Sequence, residues 1–460
     1  MGESGVGSLR VAGFAVPLLF ALGVQAEEGG RSLAESKGLA DYLSGRDVDE
    51  TTWMKSIGLT VGGWVNASVT YNASSPSDNF NGPVTFNDRA GEPQMNQLYL
   101  YLQRAIEVGP EAWDIGGRFD FMYGTDAIFT QAYGIPYVDP RTGRPLDRGH
   151  WDLHLSSWSD RFYGIALPQA YAEFNVPVGD GLSVKAGHFY TPIGYEAVTA
   201  PDNFFITKPY TFQFGPFTHV GLLGNYAVDG NWMVSAGAVT GSATGGFDGT
   251  WDQQLGNWDF LGGGVWTSDD ENYSISLNST AGGRSEQFGD LWAMYSLIGK
   301  AAFFDGLLHY VIEHSHGYAD NVRTANYTRN GGQLEDAEWY GINQYLFYNL
   351  DREWSVGLRG EWWRDNNGFR VSGPPRCSGS VNINGAGTAR PYACNPNFSA
   401  VYPFQGSGYY ALTVGLNWKP LSWVILRPNA RYDWSDNIKI FDTGKRSDQF
   451  LFSADVIVTF

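Results

Sequence analysis

The chain has 460 residues, of which 59 are glycine, 15% are aromatic and only 17% are charged, with a formal net charge of −18. A length that would ordinarily divide into two or three soluble domains shows no linker and no compositional break, which favours one closed sheet. The acidity argues against nucleic acid as a partner. Beyond the N-terminus no window holds the roughly 18 apolar residues of a membrane helix.

Arg10 is followed by the apolar run Val11 to Val24, and Val24-Gln25-Ala26 precedes Glu27-Glu28. This is the layout of a secretory signal, so residues 1–26 are expected to be removed after Ala26. Residues 27–56 are polar, with one weakly helical patch from Ser32 to Leu43. That patch reads either as a short periplasmic helix or as a segment tucked into a lumen.

From residue 57 to 460 the pattern changes to a two-residue period, the mark of strands with one apolar face. Val61, Val65, Ala67, Val69 and Tyr71 oppose Asn66, Ser68 and Thr70; Leu98, Leu100 and Leu102 oppose Gln97, Tyr99, Tyr101 and Gln103. Ile115, Phe119 and Phe121 oppose Arg118 and Asp120; Trp354, Val356, Leu358 and Trp362 oppose Arg359 and Glu361. Sixteen such segments are expected, near 57–71, 94–106, 113–123, 167–176, 182–190, 217–228, 231–241, 258–267, 272–280, 292–303, 307–317, 338–349, 353–364, 408–418, 423–434 and 448–460. In the last of these the even positions from Phe450 to Phe460 are all apolar, and Gln449, Ser453, Asp455 and Thr459 lie opposite.

The connections alternate in length. Glu107 to Ala112, Pro177 to Gly181, Asp229-Gly230, Phe304 to Gly306 and Leu350 to Arg352 are short, whereas Asn72 to Pro93, Gly124 to Ala166, Thr191 to Pro216 and Asp365 to Ser407 are long. Short periplasmic turns alternating with long external loops are the signature of a transmembrane barrel. The expectation is therefore an all-β, antiparallel, up-and-down barrel of about sixteen strands in a bacterial outer membrane, with aromatic girdles at both rims.

Ala186-Gly-His-Phe-Tyr-Thr-Pro-Ile-Gly-Tyr-Glu196, Phe212-Gln-Phe-Gly-Pro-Phe-Thr-His-Val-Gly221 and the opening strand Gly63-Trp-Val-Asn-Ala-Ser-Val-Thr-Tyr-Asn72 resemble the β-barrel porin family called porin-2 or OmpL-like. The resemblance implies an outer-membrane porin-like barrel of Gram-negative type, with no catalytic motif to carry over and no defined substrate.

Chemistry in the chain itself is sparse. His314 and His316 share a strand face and lie on the lipid side near the outer rim, but two ligands do not make a metal site. There is no G-x-S-x-G, no H-E-x-x-H and no phosphate-binding loop. Cys377 and Cys394, in an external loop of an exported chain, are expected to form a disulfide. Parity turns Arg118, Asp120, Arg359, Glu361, Arg427, Arg431 and Asp433 into the lumen, where charge is tolerated beside water. The alternative is that these charges pair off and plug the barrel. The loop Thr191 to Pro216 is unusually aromatic and carries Glu196, Asp202 and Lys208. It is expected to fold inward as a constriction, its carboxylates facing an arginine strip whose guanidinium groups reach water.

The expected function is a passive channel for small hydrophilic solutes, without enzymatic activity, metal or cofactor. A closed structural or anchoring barrel is the alternative, and an outer-membrane hydrolase a weaker one. Expected partners are outer-membrane lipid and lipopolysaccharide, the barrel-assembly machinery through the C-terminal strand, small solutes and further copies of the chain.

Overall fold

The computed structural model describes residues 37–44, 52–76, 79, 81–83, 86–127, 130, 163–240, 258–283, 291–322, 324, 326, 329–371, 405–442 and 444–460. The expected signal segment and both cysteines lie outside the described residues. Among the described residues two short helices, α1 (Leu39–Ser44) and α2 (Thr52–Ile57), precede the sheet. The strands are β1 (Leu59–Asn72), β2 (Gln94–Arg104), β3 (Asp114–Gly124), β4 (Gly164–Ala166), β5 (Ala170–Val176), β6 (Leu182–Tyr190), β7 (Thr218–Ala227) and β8 (Trp232–Thr240). They continue with β9 (Trp258–Thr267), β10 (Tyr273–Gly283), β11 (Leu291–Phe303), β12 (Leu308–Val322), β13 (Glu335–Asn349), β14 (Trp354–Asp365), β15 (Ser407–Leu421), β16 (Val424–Ser435) and β17 (Asp448–Thr459).

Every neighbouring pair is antiparallel, and β1 closes the sheet by pairing with both β2 and β17. At the seam Gly63 and Phe460 exchange backbone hydrogen bonds, each 2.9 Å long. Both β4 and β5 lie against β3, so the described segments form a sixteen-stave wall. The break between them falls at Leu167-Pro168-Gln169, where the expected strand begins, so β4 lies in the stretch the sequence assigns to the long loop before it. Pro168 has no N–H to give the ladder. The chain bulges there, and Gln169 O instead accepts from Asp120 N at 2.8 Å.

Two of the short turns are closed by aspartates. Asp229 Oδ1 accepts from the backbone of Asn231 and Trp232, and Asp351 Oδ1 from Glu353 and Trp354, all at 2.8 Å. Such side-chain contacts close a tight reversal that the strands alone would leave unsatisfied. At the long-loop end β12 and β13 run further than the alternating pattern indicates, to Val322 and from Glu335. The backbone ladder continues there after the lipid-facing apolar residues have ended.

The pleat sorts side chains as the two-residue period requires. Phe450, Phe452, Leu412, Val414, Ile275 and Leu277 are exposed on the outer face, while Ser453, Asp455, Thr413 and Asn278 are buried within. Ring pairs mark both rims of that outer face. Trp354 stacks on Trp418 at 5.2 Å at the turn end, and Tyr410 stacks on Trp434 at 5.3 Å at the loop end. Amphipathic rings belong at these boundaries of a bilayer. At the turn end Tyr42 of α1 also stacks on Trp423 at 6.3 Å, placing α1 beside the barrel rim.

Candidate functional site: the third long loop and the lumen

A ring of sixteen strands encloses an aqueous channel unless something fills it. Here the segment from Thr191 to Phe217 between β6 and β7, called L3 below, enters the lumen. Its aromatic and apolar residues would be unstable in water, and burial against the inner wall removes them from it. Phe205, Ile206, Tyr210, Phe212, Phe214 and Phe217 are all buried.

L3 contributes to each of the four apolar clusters inside the barrel. Tyr210 and Phe214 pack with Trp339, Trp363 and Tyr409. Val198, Phe212 and Phe217 join Trp64, Phe86 and Tyr99. Ile193 meets Phe189, Leu261 and Met294, and Phe205 meets Val311, Tyr345 and Phe347. The wall is shaped for two of these rings. Gly357 and Gly415 are partners across β14 and β15. A Cβ at Gly357 would lie 2.5 Å from Phe204 Cε1, and one at Gly415 would lie 3.0 Å from Phe205 Cδ1. The paired glycines therefore form the recess that takes Phe204-Phe205.

Charged groups fasten the loop. Arg359 Nη1 donates to Glu196 Oε1 at 2.6 Å and to Thr207 O at 2.8 Å, while its Nε donates to Glu361 Oε1 at 2.9 Å. Arg431 Nη1 donates to Glu361 Oε1 at 2.6 Å and to Lys208 O at 3.0 Å, and its Nε donates to Asp433 Oδ1 at 2.8 Å. Arg427 pairs with Asp455 and donates from Nη1 to the carbonyls of Ala200 and Asn203. Tyr210 N donates to Glu361 Oε2, and Tyr210 Oη to Asp433 Oδ1, each at 3.1 Å. On the remaining sides Tyr195 N donates to Glu313 Oε1 at 3.2 Å, and Gln97 Nε2 donates to Val198 O at 2.7 Å.

The three arginines are fully buried, so they meet the loop directly and do not face it across water. The physical reason is the cost of removing a guanidinium from water, which is met here by several acceptors apiece, including loop carbonyls that carry no sequence signature. Of the loop's charged residues, Glu196 reaches the arginine strip. Asp202 instead accepts from Thr199 Oγ1 within a 3-10 turn (Ala200–Asp202). Lys208 Nζ donates to Ala197 O at 2.6 Å, lies 3.7 Å from Glu196 Oε2 and sits over the Phe212 ring. Burial pushes the Lys208 ammonium down to about 8, and Glu196 opposes that fall.

The turn-end half of the lumen is different. Arg118 is half-buried, bonded from Nε to Asp120 Oδ1 at 2.7 Å and lying 4.5 Å over the Tyr101 ring. Lys185 lies 5.0 Å over Tyr171, and the exposed Lys300 lies 5.3 Å over Tyr195. A cavity of about 480 Å³ opens here beneath L3. The histidine pair is on the outer face: His316 Nε2 is 2.8 Å from Glu338 Oε1, and His314 Nδ1 is 3.3 Å from Tyr295 Oη.

Sequence reasoning missed the anchoring roles of Gln97, Tyr210 and Asp455, and of Asn343, whose amide donates to Thr211 Oγ1 of L3 and to Glu313 Oε2. Parity marks Gln97 and Asp455 as inward, but nothing in the sequence pairs them with L3 or Arg427. Tyr210 was legible only as one more loop aromatic.

No curated protein matches the sequence. Among solved structures the chain is similar to Pseudomonas putida OprB, with 12% identity, a TM-score of 0.55, and 93% of this chain and 99% of that chain covered. It is also similar to the outer membrane channel DcaP of Acinetobacter baumannii, with 10% identity, a TM-score of 0.49, and 87% and 97% covered. At these identities the likeness to OprB speaks for the fold alone. The sequence family described as "Putative beta-barrel porin-2, OmpL-like" matches residues 58–460. The chain belongs to that family and is a porin-type β-barrel of the bacterial outer membrane, a channel for solute diffusion.

Proposed function

We propose that L3 is the constriction of this channel and that it restricts diffusion to small hydrophilic solutes and ions. The observation that carries the reading is the Arg359 network, which ties Glu196 and Thr207 of L3 to β14 on the far side of the lumen. A loop anchored at β2, β12, β14 and β16 does not move aside for a solute without breaking buried charge-assisted bonds. Passage is therefore set by the space left between L3 and the cation-bearing wall of β3, β5, β6 and β11, where Arg118, Glu173 and Lys185 line the route; Asp120, expected to line it too, is fully buried and holds Arg118 from behind. In this reading Arg359, Glu361, Arg427, Arg431 and Asp433 shape the pore by holding the loop, with Glu196 and Lys208 as their loop counterparts.

The barrel sits among outer-membrane lipids. We further propose lipopolysaccharide as the contact of the outer aromatic rim, and the barrel-assembly machinery as the reader of the strand ending in Phe460. The reading assigns no catalytic chemistry. The apolar clusters packed within the lumen favour a second reading, a closed barrel that anchors other envelope components. Planar-bilayer recording of the purified barrel separates the two. Discrete, small single-channel steps in KCl support the constricted channel, and a correctly folded barrel without conductance overturns it.

A further inference from the structure

The cavity of about 480 Å³ beneath L3 lies at the turn end of the barrel, between the loop and strands β10 to β16. Its size is that of a small-molecule site, and its lining combines an aromatic side with a larger set of charged and neutral polar groups. Phe204 and Phe347 stack at 4.8 Å with 29° between their planes, and Tyr195 stands edge-on beside Tyr345 at 4.8 Å, so the apolar side is a firm aromatic surface. Lys300, Lys419 and His309 also line it, and among the described residues none of these three is engaged by a carboxylate. Two acidic residues share the lining. Asp202 is held by the Thr199 hydroxyl, and Glu271 is exposed in the β9–β10 turn at the cavity's outer edge. Neutral polar groups, Asn272, Ser274 and Asn417 among them, also line the cavity, and the exposed Lys300 and Lys419 with the part-buried His309 supply its cationic donors beside the aromatic rings.

We propose that this cavity binds small organic carboxylates that carry an aromatic or apolar body. The carboxylate meets Lys300, with Lys419 and His309 as further donors, and the body lies against Phe204 and Phe347. The inference deepens the channel reading and rests on it, since it names a class of solute that pauses beneath the constriction.

The test is calorimetric titration of the detergent-folded barrel with benzoate, benzylammonium and benzyl alcohol, subtracting protein-free micelles. Benzoate is expected to bind more tightly than the other two. K300Q is expected to weaken benzoate by at least about tenfold, the loss of one charge-assisted hydrogen bond, whereas K300R retains most of the affinity. Equal affinity for the three probes, no benzoate binding, or an unaffected K300Q in a barrel that keeps its heat-dependent gel shift overturns the site. KCl conductance of the same preparation keeps the two readings apart. Benzoate binding without conductance sinks the channel and leaves the site standing, and conductance without benzoate binding does the reverse.

Discussion

Two sets of cations point into this barrel and have opposite fates. Arg359, Arg427 and Arg431, on β14 and β16, are fully buried and each contacts at least one carboxylate and one backbone carbonyl of L3. Arg118 and Lys185, on β3 and β6, obey the same parity, yet they remain partly exposed and lie over tyrosine rings of the wall itself. Strand alternation selects both sets equally. The difference is whether L3 arrives. Where it does, the wall's charges become fasteners; where it does not, they line water. Facing inward and facing solvent are thus separate properties in a barrel with an occupied lumen.

The largest test of this contrast removes the loop. Deleting residues 197–207 should raise single-channel conductance several-fold in planar bilayers, because water then reaches the arginine strip. An unchanged conductance in heat-modifiable barrels would show that L3 is not the constriction. Next in size is Arg359→Ala, which takes from the buried Glu196 its nearest cation and from Glu361 one of its two arginines, at a cost of about 3–5 kcal/mol. Protease cleavage within L3 should become rapid in this variant while the wall stays assembled. Lys185→Ala, by contrast, should change urea stability by no more than about 0.5 kcal/mol. If both substitutions behave alike, the division between fasteners and lining groups fails.

A smaller effect is expected at the recess. Gly357→Ala forces the Phe204 ring to move, an overpacking cost of about 1–3 kcal/mol. Because that cost lies in one contact, the double variant with Phe204→Ala should recover part of the loss, and additive losses in the cycle would dismiss the recess. The smallest change is in ion preference. Lys185→Gln should move the reversal potential in a KCl gradient slightly toward cations. A shift of the opposite sign would place the ion route away from the β5–β6 wall.

The fold was largely legible in the sequence, and the lumen was not. Strand limits deviate only locally, as at Pro168, whose missing N–H splits one stave, and at β12 and β13, which outrun their apolar pattern. The inward set from Arg118 to Asp433 could be read from parity. The entry of L3 could be inferred from its aromatic content, but its fastening could not. Asp202 carries the charge expected to face the arginines and turns instead to Thr199, while the unremarkable carbonyls of Ala200, Asn203, Thr207 and Lys208 take the guanidinium groups.

What the sequence by itself determined is therefore everything that depends on the pleat. The two-residue period, with turns and loops alternating in length, specifies the strands, their order, and which side chains meet lipid, since neighbouring staves are neighbours in sequence. The contents of the lumen depend on contacts that only closure creates. Tyr210 and Asp433 stand 223 positions apart in the chain, and Arg427 and Ala200 stand 227 apart. No local pattern encodes such pairs. Closing the barrel brings the far wall within reach of L3, and the cost of leaving buried charges unpaired then selects which groups meet.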